Sequence, residues 1–188
     1  MNFNPHYELK EEHAFLSPSN YHWVNYTDDK MQTVYINLMM AKRGTELHAL
    51  AHSHIKLGIK MPRTKKTLDQ YVNDAIGYKM VSEQKLKYSD LCFGTADAIS
   101  FSESQRILRI HDLKTGVTPA SMTQLRIYAA LFCLEYDYSP NDLNAIILRI
   151  YQNDEVFEEV ADPKDILYLM DKIKHFDVFI SEMNKEGW

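Results

Sequence analysis

Three strand-like segments in a row, followed at once by an apolar helix, constrain this chain more than any other feature. Residues 82–88, 91–101 and 107–114 carry branched and aromatic residues and are separated by turn residues, with Ser102-Glu103-Ser104-Gln105 as a hairpin loop. The period then changes over 121–136, where Leu125, Ala129 and Phe132 fall on one helical face. Residues 144–151 and 156–160 add two strands around an Asn153-Asp154 turn, and 163–183 close with an amphipathic helix. Strands of this kind bury their apolar faces only when helices are laid on them. The expected fold class is α/β in the α+β sense, a central mixed five-stranded sheet flanked by helices.

Helical signals dominate ahead of the sheet. Ser17 suits an N-cap and Pro18 the first helical position, which would turn Trp23 and Val24 inward. A second helix is expected over 31–57, interrupted near Gly44, with Leu47, Leu50, His54 and Leu57 at helical spacing and Gly58 as its stop. Residues 59–67 read as a basic loop and 68–76 as a short helix. A chain of 188 residues suits one domain with a real core. Its expected parts are a helical region 1–80, a sheet core 81–160 and a C-terminal helix 161–188.

Charge and cysteine content exclude several classes. The net charge of −5 rules out coating nucleic acid by bulk charge. The layout is uneven, however: residues 41–80 hold eight bases against three acids, and 135–188 hold thirteen acids against five bases. The basic part peaks at Lys56, Lys60, Arg63, Lys65 and Lys66, a run that can meet a phosphate backbone. Taken alone it fits a solvated loop equally well. Cys92 and Cys133 make no disulfide scaffold and no zinc spacing. No apolar run approaches membrane-spanning length, and the acidic N-terminus lacks the core of a secretory leader. A cytoplasmic protein without a membrane partner is expected.

Four polar clusters interrupt the apolar plan: Arg43-Gly44-Thr45-Glu46-Leu47-His48, Gly94-Thr95-Ala96-Asp97, Asp112-Leu113-Lys114, and Gln124 with Tyr128. Strand alternation sends Asp112 and Lys114 to one face, at the end of a largely apolar segment. By itself that fits a strand-end ion pair. Asp97 lies fifteen residues earlier, and pairing about the 102–105 loop brings it close to 110–112. Two carboxylates so placed repel unless a cation joins them, and hard oxygen donors favour Mg²⁺ or Mn²⁺ over zinc. Asp97 alone fits an edge-strand acid, although apolar Phe93 and Ile99 flank it. His48 alone fits a core histidine, yet a neutral imidazole also ligates divalent ions. His52, one turn on, completes the spacing of a helical zinc protease, but Ala49 stands where that chemistry needs its glutamate. His52 and His54 are read as structural. Gln124 and Tyr128 share a helix face and can hold phosphate or sugar oxygens; alone they fit the polar edge of a packed helix.

In this order the clusters resemble the motifs of the PD-(D/E)XK nuclease superfamily, in its RecB-like and phage exonuclease branch. Gly44-Thr-x-x-His48 is similar to the branch's helical histidine motif, Gly94-Thr-Ala-Asp97 to its second motif, Asp112-Leu-Lys114-Thr-Gly116 to its third, and Gln124-Leu-Arg-Ile-Tyr128 to the helix motif that follows. His13-Ala-Phe-Leu-Ser17-Pro-Ser19, with Trp23, is similar to the N-terminal helix start of phage members, where a serine is held to meet a DNA phosphate. The resemblance covers residues 17 to about 136.

It implies a restriction-endonuclease-like core and a DNA exonuclease that hydrolyses phosphodiester bonds from ends and leaves 5′ phosphates. The setting it implies is phage recombination, with a single-strand annealing partner and an oligomer as further expectations. His48, Asp97, Asp112 and the Leu113 backbone carbonyl would hold one Mg²⁺ or Mn²⁺, and Asp97 a second. Lys114 would sit beside the attacking water. Ser17, Ser19, Gln124, Tyr128 and the basic run from Lys56 to Lys66 would touch DNA without reading base edges. The branch often carries glutamate one turn after the histidine; here that position is His52, which leaves a second ion short of a ligand. Two cysteines cannot build the four-cysteine iron–sulfur cluster of some relatives, and no GxxxxGK[ST] loop marks a fused helicase. A structure-specific or nicking endonuclease on the same fold is the alternative. A non-catalytic DNA-binding or partner module is another, and the intact His48, Asp97, Asp112 and Lys114 set argues against it.

Overall fold

The computed structural model describes Tyr7 and residues 14–185, so His13 of the N-terminal pattern lies outside the described residues. The chain divides into two compact units, Met1–Lys42 and Arg43–Trp188. In the first, Pro18–Asn25 form a 3₁₀ helix with Ser17 as N-cap, accepting from the Ser19 amide at 3.4 Å, and Pro18 at its start. The Trp23 indole donates to the Ser17 carbonyl at 3.1 Å. The expected inward pair is not found: Val24 is 65% exposed and no residue of this helix is buried. Successive residues of a 3₁₀ helix stand about 120° apart, so Trp23 and Val24 cannot share a face.

Helix α1, Asp28–Leu57, begins in the first unit and ends in the second. It starts ahead of the expected position because Thr27 Oγ1 accepts the Lys30 amide at 3.3 Å and Asp28 and Asp29 suit the positive end of the helix. It runs unbroken through Gly44, contrary to the expected interruption. A Cβ on Gly44 would lie 2.7 Å from Thr115 Oγ1, so the glycine serves a close approach of helix to loop. That approach outweighs the helix cost of glycine, about 1 kcal/mol. The buried stripe is Gly44, Ala51 and Ile55, while Leu50 and Leu57 of the expected stripe are exposed. The close approach is at Gly44, while Ala51 and Ile55 pack into the core further along the helix. Gly58, at φ 67°, ends the helix as expected.

Helix α2, Thr67–Gly77, precedes the sheet. Strands β1 Val81–Lys87, β2 Phe93–Ser102, β3 Ile107–Leu113, β4 Ala145–Gln152 and β5 Glu155–Val160 lie in the order β1-β2-β3-β4-β5. All neighbours are antiparallel except β3 and β4, which are parallel and joined by a crossover containing α3, Thr123–Glu135. Asn153 and Asp154 both have positive φ, as a tight hairpin turn requires. Helix α4, Pro163–Lys185, follows. The fold is α+β, with an open mixed five-stranded sheet flanked by helices, as its periodicity requires.

Two cores result. Leu108, Ile110, Ile146 and Leu148 pack with Leu125 and Ala129 of α3 and Ile166 of α4. Ala98, Leu113 and Tyr151 pack with Ala51 and Ile55 of α1 and Tyr71 and Val72 of α2. Central strand β3 is thereby covered by helices, and its C-terminal end carries buried Asp112. No helix among the described residues is long and apolar enough to cross a membrane.

Candidate functional site

The site grows from the end of the β2–β3 ladder. Carried one step beyond the pair Ala98↔His111, the register sets Asp97 level with Asp112, as the hairpin arithmetic predicts. There the carboxylate enters the hydrogen bonding itself: the Leu113 amide donates to Asp97 Oδ2 at 2.9 Å. Of the two apolar flanking residues, Ile99 is buried, whereas Phe93 is 65% exposed at the strand's first residue. Burial, and then the charge of Asp112, push the Asp97 carboxyl up to about 6, with the Leu113 amide and His48 pulling the other way. His48, on α1, places Nδ1 3.5 Å from Asp97 Oδ2.

Asp112 is 3% exposed. Lys114 Nζ donates to its Oδ1 at 3.1 Å and stands 2.9 Å from Oδ2 outside hydrogen-bonding direction, so Oδ2 has an ionic neighbour but no hydrogen-bond donor. Lys114 Nζ also donates to Gln124 Oε1 at 2.9 Å, which ties the first turn of α3 to the strand end. One turn on, the Tyr128 ring lies over Gly94, where an added Cβ would meet Tyr128 Cε1 at 2.9 Å. The glycine of Gly94-Thr-Ala-Asp97 is thus a seat for an aromatic ring. Gly94→Ala should lower stability by about 1–3 kcal/mol through overpacking. In urea unfolding that loss should vanish on the Tyr128→Ala background, because the clash needs both side chains.

His48, Asp97, Asp112, Lys114 and Gln124 are therefore linked from α1, β2, β3 and α3, and Leu113 meets them through its N–H. Ser17 and Ser19 belong to the other unit, where their exposed hydroxyls lie 2.7 Å apart. Lys56, Lys60, Arg63, Lys65 and Lys66 are all exposed, with no ion-pair partner among the described residues. The loop bearing the last four is fastened to α2: Asn73 bonds both the amide and the carbonyl of Met61, and Thr64 Oγ1 donates to buried Asp69 at 2.5 Å.

Sequence reasoning missed Glu83. It stands on β1 between the pairs Ser82↔Ala98 and Gln84↔Ala96, level with Asp97. One ligand atom each from His48, Glu83 and Asp97 lie within 4.8 Å of one another. The hairpin count that placed Asp97 against Asp112 would also have placed Glu83 against Asp97. Its backbone, at φ 56°, has no such signal. Tyr71 of α2 was missed too. It is 2% exposed, and burial followed by the charges of Asp97, Glu83 and Asp112 raises its pKa.

An imidazole nitrogen and two carboxylates in reach of one another, beside a buried carboxyl oxygen without a donor, form a donor set that fits a hard divalent cation. Scans against known protein families, curated proteins and solved structures returned no match.

Proposed function

We propose that this chain is a Mg²⁺- or Mn²⁺-dependent DNA exonuclease of the PD-(D/E)XK kind, acting on DNA ends in the cytoplasm. The observation that carries the reading is the junction of Asp97, Asp112 and Lys114 at one strand end, with His48 on one side and Gln124 on the other. Four motifs spread over some eighty residues meet there in the order the resemblance implies.

His48, Asp97 and Asp112, with the Leu113 carbonyl, would hold the ion. When bound, such an ion makes water a competent nucleophile near neutral pH and polarises the scissile phosphate. The chain's own groups do the rest. The Leu113 amide fixes one oxygen of Asp97, leaving the other free to turn outward. Asp112 and Gln124 hold the Lys114 ammonium between them, so it is positioned before substrate arrives. A held ammonium can orient the attacking water and offset negative charge that grows on the phosphate in the transition state. Gln124 and Tyr128 offer polar atoms to the phosphate backbone, and the fastened basic loop after α1 supplies attraction without reading bases.

Digestion of linear and circular DNA, single- and double-stranded, tests this. Linear DNA should be degraded with Mg²⁺ or Mn²⁺, not with EDTA, and circles should survive. The rate should fall steeply with added salt. Cleavage of closed circles would replace the exonuclease by an endonuclease. Tight DNA binding with no cleavage under any metal would leave a binding module.

A further inference from the structure

We infer that Glu83 is a working ligand of the divalent-cation site, held in place by a clamp between His52 and Ser82. The inference rests on the proposed metal-dependent reading and adds a group that the motifs do not supply.

Position comes first. Glu83 is level with Asp97 across the β1–β2 ladder, and its carboxylate, the Asp97 carboxylate and the His48 imidazole fall within 4.8 Å of one another. Its backbone is the second observation. At φ 56° it takes a left-handed conformation in mid-strand, between ladder pairs on either side. A β-carbon makes this conformation costly, and glycine, asparagine or aspartate would be the usual occupants. The ladder gains nothing from the kink. What changes is the direction of the side chain, because a strand residue in ordinary geometry would project along the pleat.

Charge is the third. The Glu83 carboxylate adds to the field at both Asp97 and Tyr71, and it has no cationic side-chain partner among the described residues. A further carboxylate beside Asp97 and Asp112 only destabilises unless a cation joins them. Lys114, the nearest ammonium of the motif set, is already taken by Asp112 and Gln124. The fourth observation is Asp112 Oδ2, an oxygen without a hydrogen-bond donor on a residue that is 3% exposed. Its charge bears on Asp97, and a cation in the cluster would offset it.

The clamp explains how the strand residue is aimed. His52 Nδ1 and Ser82 Oγ are 2.8 Å apart, immediately before Glu83. His48 and His52 stand one turn apart on α1, so one helix carries a ligand and also sets the strand segment that carries another.

The test is Mn²⁺ titration by calorimetry on the full chain without DNA, for wild type, Glu83→Gln, Glu83→Gly, His52→Ala and the hairpin-loop control Glu103→Gln. Both Glu83 variants should weaken Mn²⁺ binding at least about tenfold, and Glu103→Gln should not. Glu83→Gly, which accepts the left-handed backbone freely, should melt no lower than Glu83→Gln, so lost binding is not lost fold. His52→Ala should weaken binding by a smaller factor, about threefold, with restoration by His52→Asn, which keeps a polar partner for Ser82. Wild-type Mn²⁺ affinity in both Glu83 variants overturns the assignment and leaves the nuclease reading to stand on DNA cleavage. Absence of Mn²⁺ binding by the wild type at millimolar metal overturns both.

Discussion

Lys114→Ala should abolish metal-dependent DNA cleavage, lowering kcat by about 10³-fold or more, the scale seen when a positioned group that stabilises transition-state charge is removed. The ammonium touches both oxygens of buried Asp112 and the Gln124 side chain. It is not in the donor set of His48, Glu83 and Asp97. Lys114→Ala should therefore bind Mn²⁺ as well as wild type or better, since a competing positive charge has gone. Asp112→Asn should lose cleavage and weaken Mn²⁺ binding together. Single-turnover cleavage beside calorimetry separates the two variants. Equal loss of metal affinity in both would remove the division of roles between carboxylate and ammonium. The melting temperature of Lys114→Ala must be followed as well, because removing one partner of a buried pair leaves the other charge exposed to a low-dielectric interior.

The second large effect concerns stability. Asp97 titrates near 6 in the folded chain, above its ordinary 3.8, because it is buried beside Asp112. Between those values the folded state holds a proton that the unfolded state has released, so this group makes stability fall as pH rises. The full difference, some two pH units, is worth on the order of 3 kcal/mol. His111 acts oppositely. Burial, and then the charges of Arg149 and Arg109, push it down to about 3 from 6.5. The Tyr151 hydroxyl donates to Asp74 at 2.7 Å, so His111 Nδ1 donates to the Tyr151 oxygen at 3.2 Å and Nε2 stays bare and without a partner. Over its window the unfolded state binds the extra proton, and stability rises with pH.

Between pH 4 and 6 the two slopes oppose, and the wild type should show a shallow profile in EDTA. Asp97→Asn removes the first slope while keeping an oxygen for the Leu113 amide. It should be more stable than wild type by roughly 3 kcal/mol at pH 7, and the gap should close below pH 4. Urea unfolding at four pH values reads this directly. Millimolar Mg²⁺ should narrow the gap by stabilising only the wild type. Equal stability at pH 7 in EDTA would mean that Asp97 carries no burial penalty.

The two kinds of prediction draw on information of different origin. The strands were legible because alternation and turn residues are local properties, and all five appear within about two residues of their expected ends. The approach of Asp97 to Asp112 was legible because an antiparallel hairpin converts distance from its loop into register. Gly44 was misread because its low helix propensity is a local signal, whereas its use is a tertiary contact with Thr115. The inward stripe of α1 was misread for the same reason: leucines at helical spacing mark an apolar face, but which face is covered depends on what packs against the helix, and here Ala51 and Ile55 take the covered side.

By itself, then, the sequence determined the element order, the mixed sheet and the short list of chemical residues, all of which follow from nearest-neighbour geometry along the chain. Which of those residues meet, and in what company, was decided only by tertiary structure. The backbone angle at Glu83, the His52–Ser82 contact and the burial of Tyr71 arise when α1 and α2 dock on a registered sheet. A side chain's direction depends on the backbone dihedral beneath it and on what packs above it, and neither is written in the residue's identity.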